Sequence, residues 1–293
     1  MLGALHRHVP TARVLHSIHY TMPERPNPHG LARVVTVHDL TFFTHPDGHG
    51  PIKRRFFRRA IAVAARRADQ VICVSEATAR ELLRLVDVTV PVEVIPHGID
   101  LGRFTDVEPA PGHDAAVLAG LGIQRPYLLH LGTIEPRKNV ARLLDAAVRL
   151  GGGKQLDVVL AGGAWTGERE GLPQPAGLRI HHLGVVRDAV VPALLRRAGV
   201  VAYPSLAEGF GLPVLEALAC GAPVVTSRGS VMEELAPDAV VAADPLSVDA
   251  LVDALEDALA GRGPSLEIRL AVAQRYDVHD CARRHAALYN RFL

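Results

Sequence analysis

Short, strongly apolar runs recur along this 293-residue chain, and segments with helical periodicity separate them. The runs are valine-rich and only a few residues long, so they predict strands that are buried on both faces. Strands of this kind, alternating with helices, form parallel sheets that helices cover. The chain is therefore expected to be an α/β protein. The predicted strands are RVVTVHD, DQVICVS, VEVIPHG, YLLHLGT, LDVVLAGG, LRIHHLG, GVVAYPS, PVVTS and AVVAAD.

A segment rich in proline, glycine and acidic residues, TDVEPAPGHDAAVLAGLGIQRP, interrupts this alternation. Such a composition is typical of a junction between domains, and the alternation resumes after it. The sequence therefore predicts two Rossmann-like domains, residues 1–110 and residues 111–275. Ligands of such sheets bind beyond the carboxyl ends of the strands, so functional residues are expected in the loops that follow the strands.

Composition excludes several classes of protein. Hydrophobic residues make up 48% of the chain, which is typical of a globular protein. The net charge is +1, so the overall charge does not attract the chain to nucleic acid. The scattered Cys73, Cys220 and Cys281 match neither a disulfide framework nor a zinc-binding spacing. The first 20 residues lack the apolar core of a signal peptide, and no apolar run is long enough to span a bilayer. A cytoplasmic protein is expected.

Two glutamates stand close together in the stretch EGFGLPVLEALACG. Gly209 and Gly211 allow a tight turn, and Pro213 suits the first turn of a helix, which places Glu208 in a loop and Glu216 in that first turn. Free N–H groups at a helix start attract anions, whereas carboxylates accept hydrogen bonds from hydroxyls. The combination indicates a nucleotide sugar. The alternative is that Glu208 caps the helix and Glu216 favours its positive end.

A second loop joins the strand YLLHLGT to a helix from Asn139, and it carries Arg137 and Lys138. Two cations at the ligand edge of a sheet suit a diphosphate, which arginine binds as a fork and lysine as a point charge. In the first domain, His38 follows the strand RVVTV, and we expect it to face the second domain's site across a cleft and to bind a sugar hydroxyl. The alternative for the loop with Arg137 and Lys138 is a solvated loop without a ligand. The alternative for His38 is a structural histidine.

Together, these motifs resemble those of the retaining glycosyltransferases of family 4, which have the GT-B fold, and most closely a bacterial mannosyltransferase-like branch. EGFGLPVLE is similar to the E-x7-E motif of that family, and LGTIEPRKN, TVHDL, ADQVICVSEATARELL and IPHGID resemble segments of the branch in their usual order. RYDVHDCARRHAALY resembles the closing helix, so residues 276–293 are expected to cross back to the first domain. The resemblance implies two Rossmann-like domains that face each other across a cleft.

The resemblance implies a role for each matching residue. Glu208 and His38 would contact the donor sugar, Glu216 would bind the ribose hydroxyls, and Lys138 with Arg137 would hold the diphosphate. His38, Glu208 and Lys138 would be the catalytic residues. Backbone groups would complete the donor site, and the residues that supply them would be Gly132, Thr133, Val185, Val186, Gly209, Phe210, Gly211 and Leu212.

The resemblance also implies transfer with retention through a front-face, ion-pair-like mechanism without an enzyme nucleophile. Catalysis would then come from positioning and from stabilising the charge of the leaving diphosphate. The chain contains no Asp-x-Asp motif, and neither a metal nor a cofactor is expected. The expected donor is GDP-mannose, with a UDP-sugar as the other candidate, and the expected acceptor is a glycan or a lipid-linked glycan.

The chain departs from the family pattern at two places. Thr133 stands where many relatives carry arginine, so diphosphate binding would depend on Lys138, Arg137 and backbone donors. The family's opening strand and glycine-rich turn are absent, so the first domain is expected to be incomplete. One alternative to an active enzyme is therefore an inactive, nucleotide-sugar-binding fragment. Another is a sugar-nucleotide epimerase of the same fold, against which the pairing of EPRKN with EGFGLPVLE argues.

The segment KRRFFRRAIAVAARRA predicts a basic, amphipathic helix over Pro51–Arg67. Phe57, Ile61 and Ala64 share one stripe of this helix, and the arginines fall largely on the others. A helix of this kind can lie on anionic lipid, which makes contact with the inner face of a membrane one hypothesis. The alternative is a helix that covers the first sheet and exposes its arginines to water.

Overall fold

The computed structural model describes residues 11–23, 30–124, 126–150, 156–163 and 178–293. The chain divides into two compact units, Met1–Gly98 with Val278–Leu293, and Ile99–Asp277. Both are built on parallel sheets, so the predicted α/β class is confirmed. Residues 1–10 lie outside the described residues. The expectations about a signal peptide and about an incomplete first domain depend largely on this opening segment.

The first unit contains a sheet whose described strands have the order β1-β2-β3-β4, all parallel. Its strands are β1 (Val14–Ser17), β2 (Ala32–Val37), β3 (Gln70–Cys73) and β4 (Val92–Val94). The helices between them are α1 (Thr41–Thr44), α2 (Pro51–Arg67) and α3 (Glu76–Leu85). Helix α3 begins at Ser75, whose hydroxyl accepts a hydrogen bond from the N–H of Thr78 at 3.0 Å.

Helix α2 has the predicted bounds, and its predicted apolar stripe lies against the sheet. Ile61 and Ala64 are fully buried in one core with β2 and β3, because their spacing places them on the same face. Arg58 is an exception to the expectation of solvated arginines, since its Nε donates to the carbonyl of Phe42 at 2.7 Å. None of the helices in the described ranges combines the length and apolarity needed to cross a membrane.

The second unit contains a parallel sheet in which the described strands have the order β7-β6-β5-β8-β9-β10. This is the strand order of the doubly wound dinucleotide-binding fold, and the order reverses between β5 and β8. The strands are β5 (Tyr127–Leu131), β6 (Asp157–Ala161), β7 (Arg179–Gly184), β8 (Val200–Tyr203), β9 (Val224–Ser227) and β10 (Val241–Ala243). The helices are α4 (His113–Gly120), α5 (Val140–Leu150), α6 (Val191–Arg196), α7 (Leu212–Ala219), α8 (Val231–Leu235), α9 (Val248–Leu259) and α10 (Leu266–Ala273).

The boundary between the units differs from the predicted one, because residues 99–110 belong to the second unit, as do residues 276 and 277. The guanidinium of Arg196 explains much of this, since it donates to the carbonyl of Thr105 at 3.1 Å and pairs with the buried Asp114 at 2.7 Å. Asp114 lies on α4, a helix inside the segment predicted to be a junction. That segment is thus a folded part of the second unit.

The last helix, α11 (Val278–Tyr289), belongs to the first unit. Its Leu288 is fully buried in a cluster with Val34 of β2 and Ile72 of β3. A hydrogen bond of 2.6 Å joins the Nδ1 of His16 on β1 to the hydroxyl of Tyr289. The chain therefore leaves the second unit after residue 277 and completes the core of the first.

Candidate functional site

The two loops singled out in the sequence meet where the strand order of the second sheet reverses. The N–H of Leu206, after β8, donates to the carbonyl of Arg137, after β5, at 2.8 Å. The side-chain amide of Asn139 donates to the carbonyl of Pro204 at 3.0 Å. Asn139 has a left-handed φ of 59°, which ends the 3-10 turn Pro136–Lys138 and allows α5 to begin. The two loops therefore meet at the carboxyl edge of the sheet, which is where sequence analysis places a ligand site.

Glycines allow the neighbouring strand ends to pack closely at this edge. The N–H of Gly132 donates to the carbonyl of Ala161 at 2.8 Å, and the N–H of Gly162 donates to that of Gly184 at 2.7 Å. Gly162 has a φ of 145°, and a Cβ on it would lie 2.1 Å from the carbonyl oxygen of Gly132. Only glycine fits there, so the predicted ligand-binding backbone at Gly132 is held against β6.

A cluster of charged side chains connects the two loops. Glu208 accepts from the Nζ of Lys138 at 2.5 Å through Oε1, and its Oε2 lies 2.9 Å from Nη1 of Arg137. Arg137 also donates to the carbonyl of Ala207 and to the carboxylate of Glu135, both at 2.5 Å. The structure thus brings together three predicted site residues, and it adds a contact that sequence analysis did not predict, between the carboxylate and both cations.

The electrostatics of Glu208 follow from this contact. Burial by itself would raise the pKa of Glu208, but the charges and hydrogen bonds of Lys138 and Arg137 outweigh burial and hold the pKa below its usual value. The side chain is only 13% exposed. Glu208 is therefore ionised at neutral pH, and it occupies the cations that would otherwise attract an anionic ligand.

Helix α7 begins at Leu212, one residue before Pro213, and this decides which turn of the helix holds Glu216. Gly211 precedes the helix with a left-handed φ of 112°, and Pro213 lies within the first turn. Glu216 is consequently in the second turn, so the prediction of a first-turn position is wrong. The N-cap residue of α7 is Gly211, and the described partners of the Glu208 carboxylate are Lys138 and Arg137, so the alternative in which Glu208 caps the helix is wrong as well.

Glu216 lies in surroundings that disfavour its charge. Among the residues that the structure describes, its half-buried carboxylate accepts no hydrogen bond and forms no ion pair. Burial raises the pKa of Glu216, and the nearby Asp188 adds to the rise, while Arg103 opposes it. Arg103 donates to the carbonyl of Asp188 at 2.7 Å. An unpaired carboxylate at the ligand edge of a sheet can accept hydrogen bonds from hydroxyl groups.

Sequence analysis missed three buried polar groups beneath this site. His130 of β5 and Tyr203 of β8 lie side by side with ring centroids 5.7 Å apart, and Ser205 follows β8. Nδ1 of His130 pairs with the carbonyl of Ala202, whereas its Nε2 and the hydroxyls of Tyr203 and Ser205 find no partner within the described ranges. Burial lowers the pKa of His130 to about 4, so the ring is neutral. The sequence does carry a signal for two of these groups, because His130 and Tyr203 are polar side chains in the mainly apolar strands β5 and β8.

The remaining predicted positions lie at the same edge of the sheet. Val185, which follows β7, is 85% exposed, and Thr133 is exposed after β5. Phe210 is buried instead, with its ring 6.0 Å from that of Tyr276, so only its backbone can reach a ligand. Val186 and the turn from Gly209 to Leu212 complete the set.

His38 belongs to the first unit, where it follows β2 as predicted. Its Nε2 lies 2.6 Å from the carbonyl oxygen of Ile18, so this nitrogen carries the proton, and its Nδ1 lies 3.3 Å from Nε2 of His97. The ring stacks on that of His97 at 5.3 Å. Both nitrogens are engaged, so a contact with a sugar, which stays a prediction, requires one of them to exchange its partner. Asp39 accepts from the N–H and hydroxyl of Thr41, which is a structural role.

Comparison with known protein families gives two matches along the chain. Residues 120–275 match the family Glycosyl transferases group 1. Residues 3–103 match Glycosyltransferase Family 4. The first match contains both loops of the site, and the second contains His38. Within the described residues, no three His, Cys, Asp or Glu side chains are grouped so that they could hold a metal ion.

Two relatives extend this comparison. O-antigen chain mannosyltransferase B of Escherichia coli is 34% identical over 240 residues, which are 76% of this chain and 60% of that protein. D-inositol 3-phosphate glycosyltransferase of Mycobacterium sp. (strain JLS) is 32% identical over 227 residues, 70% of this chain and 48% of that protein. The chain thus spans between about half and three fifths of the length of these relatives.

Solved structures show the same fold at lower identity. Sucrose-phosphate synthase from Thermosynechococcus elongatus superposes with a TM-score of 0.80 at 22% identity, over 99% of this chain and 76% of that one. Anabaena HepE in complex with UDP and glucose superposes with a TM-score of 0.74 at 23% identity, over 90% of this chain and 72% of that one. The predicted GT-B class of fold is confirmed by this likeness.

Proposed function

This chain belongs to the glycosyl transferases of group 1, and from that membership we propose that it moves a hexose from a nucleotide-sugar donor to a glycan or a lipid-linked glycan. The transfer retains the anomeric configuration and needs no divalent metal. The observation that carries the proposal is the cluster of Glu208 with Lys138 and Arg137, built from two loops at the point where the strand order reverses.

The cluster offers what a nucleotide sugar requires. Lys138 and Arg137 supply positive charge for the diphosphate, and Glu208 supplies acceptors for the sugar hydroxyls. Because the carboxylate already occupies both cations, the donor has to share or replace it. When the diphosphate reaches the cations, Glu208 turns toward the hydroxyls of the sugar. The first N–H groups of α7 add a further attraction for the phosphates.

The proposed chemistry uses these groups without a covalent enzyme intermediate. The bond between the anomeric carbon and the diphosphate oxygen breaks, and its electron pair leaves with the nucleoside diphosphate. The acceptor oxygen bonds to the same face of that carbon, and its proton passes to the departing diphosphate. Lys138 and Arg137 stabilise the charge that grows on the leaving group, which is the effect that typically contributes most to such catalysis.

Glu216 is proposed to bind the ribose hydroxyls, and the backbone at Val185 and Val186 the base. The support for Glu216 is its unpaired, half-buried carboxylate, which gains hydrogen-bond donors when a ribose arrives. In the sheet order, β5 and β6 lie between β8, whose loop leads to the helix of Glu216, and β7, which Val185 follows, and neighbouring strands are about 4.8 Å apart. A nucleoside diphosphate extended along this edge would pass over the glycine-lined strand ends.

The proposed donor is GDP-mannose, with a UDP-sugar as the other candidate. The name of the related O-antigen chain mannosyltransferase B favours mannose. The structure of HepE with UDP and glucose favours the second choice. The proposed place of action is the cytoplasm, at the inner face of the membrane, and no cofactor is proposed.

Purified protein tests this proposal in two measurements. Calorimetry with GDP and UDP reports binding, and release of nucleoside diphosphate from GDP-mannose and UDP-glucose reports turnover, with and without EDTA. We expect binding, slow hydrolysis that an acceptor accelerates, and no loss of turnover in EDTA. Turnover lost in EDTA and restored by Mn²⁺ contradicts metal independence. Binding without any turnover favours the alternative, an inactive nucleotide-sugar-binding module.

Contact with anionic lipid is proposed for the first turns of α2. Ile52 is 86% exposed and Phe56 is 55% exposed on the face opposite to the buried stripe, with the exposed Lys53, Arg55 and Arg59 around them. Apolar side chains surrounded by cations suit the surface of an anionic bilayer. Co-sedimentation with phosphatidylglycerol vesicles should fall with added salt and with a double change of Ile52 and Phe56 to Ser. Vesicle binding that stays the same with added salt and in the double variant would contradict this contact.

A further inference from the structure

A second concavity lies at the amino edge of the second sheet, opposite to the site described above. Its volume is about 330 Å³, within the range of sites for small ligands. The strands β9 and β10 begin at its base with Val224 and Val241, and Ala258 of α9 is part of its wall. Gly263 and Leu266, in the turn before α10 and at its start, complete the lining. Most of these side chains are apolar.

One cation lines this apolar cavity. Nη1 of Arg269, on α10, donates to the carbonyl of Pro264 at 2.7 Å, whereas its Nε is buried and meets no acceptor in the described part of the chain. None of the ion pairs among the described residues includes Arg269, and burial lowers the pKa of its guanidinium. Its Nη2 is neither buried nor bonded to a described residue, so this nitrogen can donate to a ligand in the cavity.

A buried arginine of this unit shows the contrast. Arg196 is 6% exposed, and its Nε and Nη2 donate to the two carboxylate oxygens of Asp114 at 2.7 and 2.8 Å. The fold thus supplies a carboxylate for the buried Arg196, whereas the half-buried Arg269 forms no ion pair among the described residues. Arg269 can therefore pair with an anion in the cavity.

We propose that this cavity binds a small organic anion, with its carboxylate or phosphate on Arg269 and its apolar part against Val224, Val241 and Ala258. The first N–H groups of α10 lie at the rim, where Ser265 uses its hydroxyl to accept from the N–H of Ile268. The exposed Glu267 in the same turn disfavours a ligand with several anionic groups, so the ligand carries one such group. This site is separate from the donor site, because the two lie at opposite ends of the parallel strands of the second sheet.

Calorimetry with phenyl phosphate as the probe tests the proposal, alongside benzyl alcohol and inorganic phosphate. Phenyl phosphate combines the ring and the anion, so we expect it to bind with a Kd on the order of 1 mM or tighter. Benzyl alcohol lacks the anion and inorganic phosphate lacks the ring, so each should bind at least about tenfold more weakly. Benzyl alcohol binding as well as phenyl phosphate would overturn the assignment of an anion site, as would the absence of any phenyl phosphate binding.

Variants locate the probe. Arg269→Met keeps the apolar stem and removes the guanidinium, and it should weaken phenyl phosphate binding at least about tenfold. Arg262→Met is the matched control. Arg262 lies in the turn before α10, between the lining residues Gly261 and Gly263, but it pairs with Asp257 at 2.8 Å and is 60% exposed. This variant should bind as the unchanged protein does. Equal binding by Arg269→Met, or displacement of the probe by GDP or UDP, would show that phenyl phosphate binds elsewhere.

Discussion

Glu208 and Glu216 are separated by one loop and the first turn of a helix, yet they lie in opposite electrostatic surroundings. The cations Lys138 and Arg137 overcome the burial of Glu208, and the pKa of this group falls. Glu216 lacks such a partner, and burial raises its pKa. The ionised form of Glu208 therefore stabilises the folded state, whereas the ionised form of Glu216 destabilises it. A carboxylate that costs stability without a ligand is a reasonable place for ligand binding.

Glu208→Gln should separate donor turnover from diphosphate binding. The change removes a negative charge from Lys138 and Arg137, so GDP or UDP should bind as well as before or better. Turnover should fall by roughly 10² to 10³, because a neutral amide cannot orient the sugar hydroxyls as the carboxylate does. Calorimetry and product release measure the two effects. Glu135→Gln is the control, because within the described ranges its carboxylate pairs with Arg137, and its turnover should fall less. A Glu208→Gln variant that turns over as fast as the unchanged protein would contradict the role of Glu208.

Glu216→Gln should stabilise the protein and weaken its binding of the nucleotide. The raised pKa of Glu216 means that the folded state holds its proton to a higher pH than the unfolded state does, so stability falls as pH rises between the two pKa values. At pH 7.5 the variant should therefore melt at a higher temperature than the unchanged protein, because the amide carries no charge to bury.

The pH dependence provides the control for Glu216→Gln. The difference in melting temperature should shrink as the pH is lowered toward about 4, where the carboxyl group is protonated in both states. Scanning calorimetry at several pH values measures this. A variant that is less stable than the unchanged protein at neutral pH would show that Glu216 has a structural partner, and would remove the argument for a ribose contact.

At the scale of secondary-structure elements, the site depends on how three strands end together. The N–H of Ile134 donates to the carbonyl of Gly163 at 2.8 Å, in addition to the bonds that Gly132 and Gly162 make. These contacts hold the loop after β5 against the end of β6. They fix the direction in which the loop carries Arg137 and Lys138 toward the loop after β8.

Gly162→Ala should therefore damage both stability and binding. Its Cβ would meet the backbone of Gly132 at 2.1 Å, and its φ of 145° strains any other residue. We expect a loss of about 1–3 kcal/mol in the free energy of unfolding, with weaker GDP or UDP binding. Gly163→Ala is the matched neighbour, since its Cβ would meet only a methyl of Val185 at 3.7 Å. Similar losses in both variants, measured by urea unfolding, would contradict this explanation.

At the scale of the whole molecule, the chain's last segment is part of its first unit. Helix α11 buries Leu288 completely among residues of β2, β3 and the segment after β4. The side chain of Arg291, which follows α11, pairs with Glu93 of β4 at 2.7 Å. Residues 278–293 are therefore part of the packing of the first unit.

Leu288→Ala tests this dependence. The cavity left by the deleted methyl groups should lower the free energy of unfolding of the first unit by about 2 to 5 kcal/mol. Leu246→Ala is the control, because Leu246 is 66% exposed and its truncation should change stability by less than about 0.5 kcal/mol. Urea unfolding followed by circular dichroism measures both. A loss no larger than that of the control would mean that α11 contributes little to the first core.

The sequence by itself determined the class of fold, most of the helices and the two loops of the candidate site. Helix α2 has its predicted bounds because its apolar residues repeat with the helical period and Pro51 suits its first turn. Helix α4 was hidden, because the prolines and glycines around it are typical of a linker and its small alanines give a weak pattern. Its position depends on the ion pair of Asp114 with Arg196, two residues far apart in the chain.

Only the tertiary structure decided which charges meet. Motif spacing places Lys138 on one loop and Glu208 on another, but the strand order that puts β5 beside β8 is what brings their side chains to 2.5 Å. It also decided that Glu216 stays unpaired and that Arg269 lies beside a cavity. The physical reason is range: periodicity and turn chemistry act between near neighbours in sequence, whereas ion pairing and burial depend on packing between residues that the sequence holds far apart.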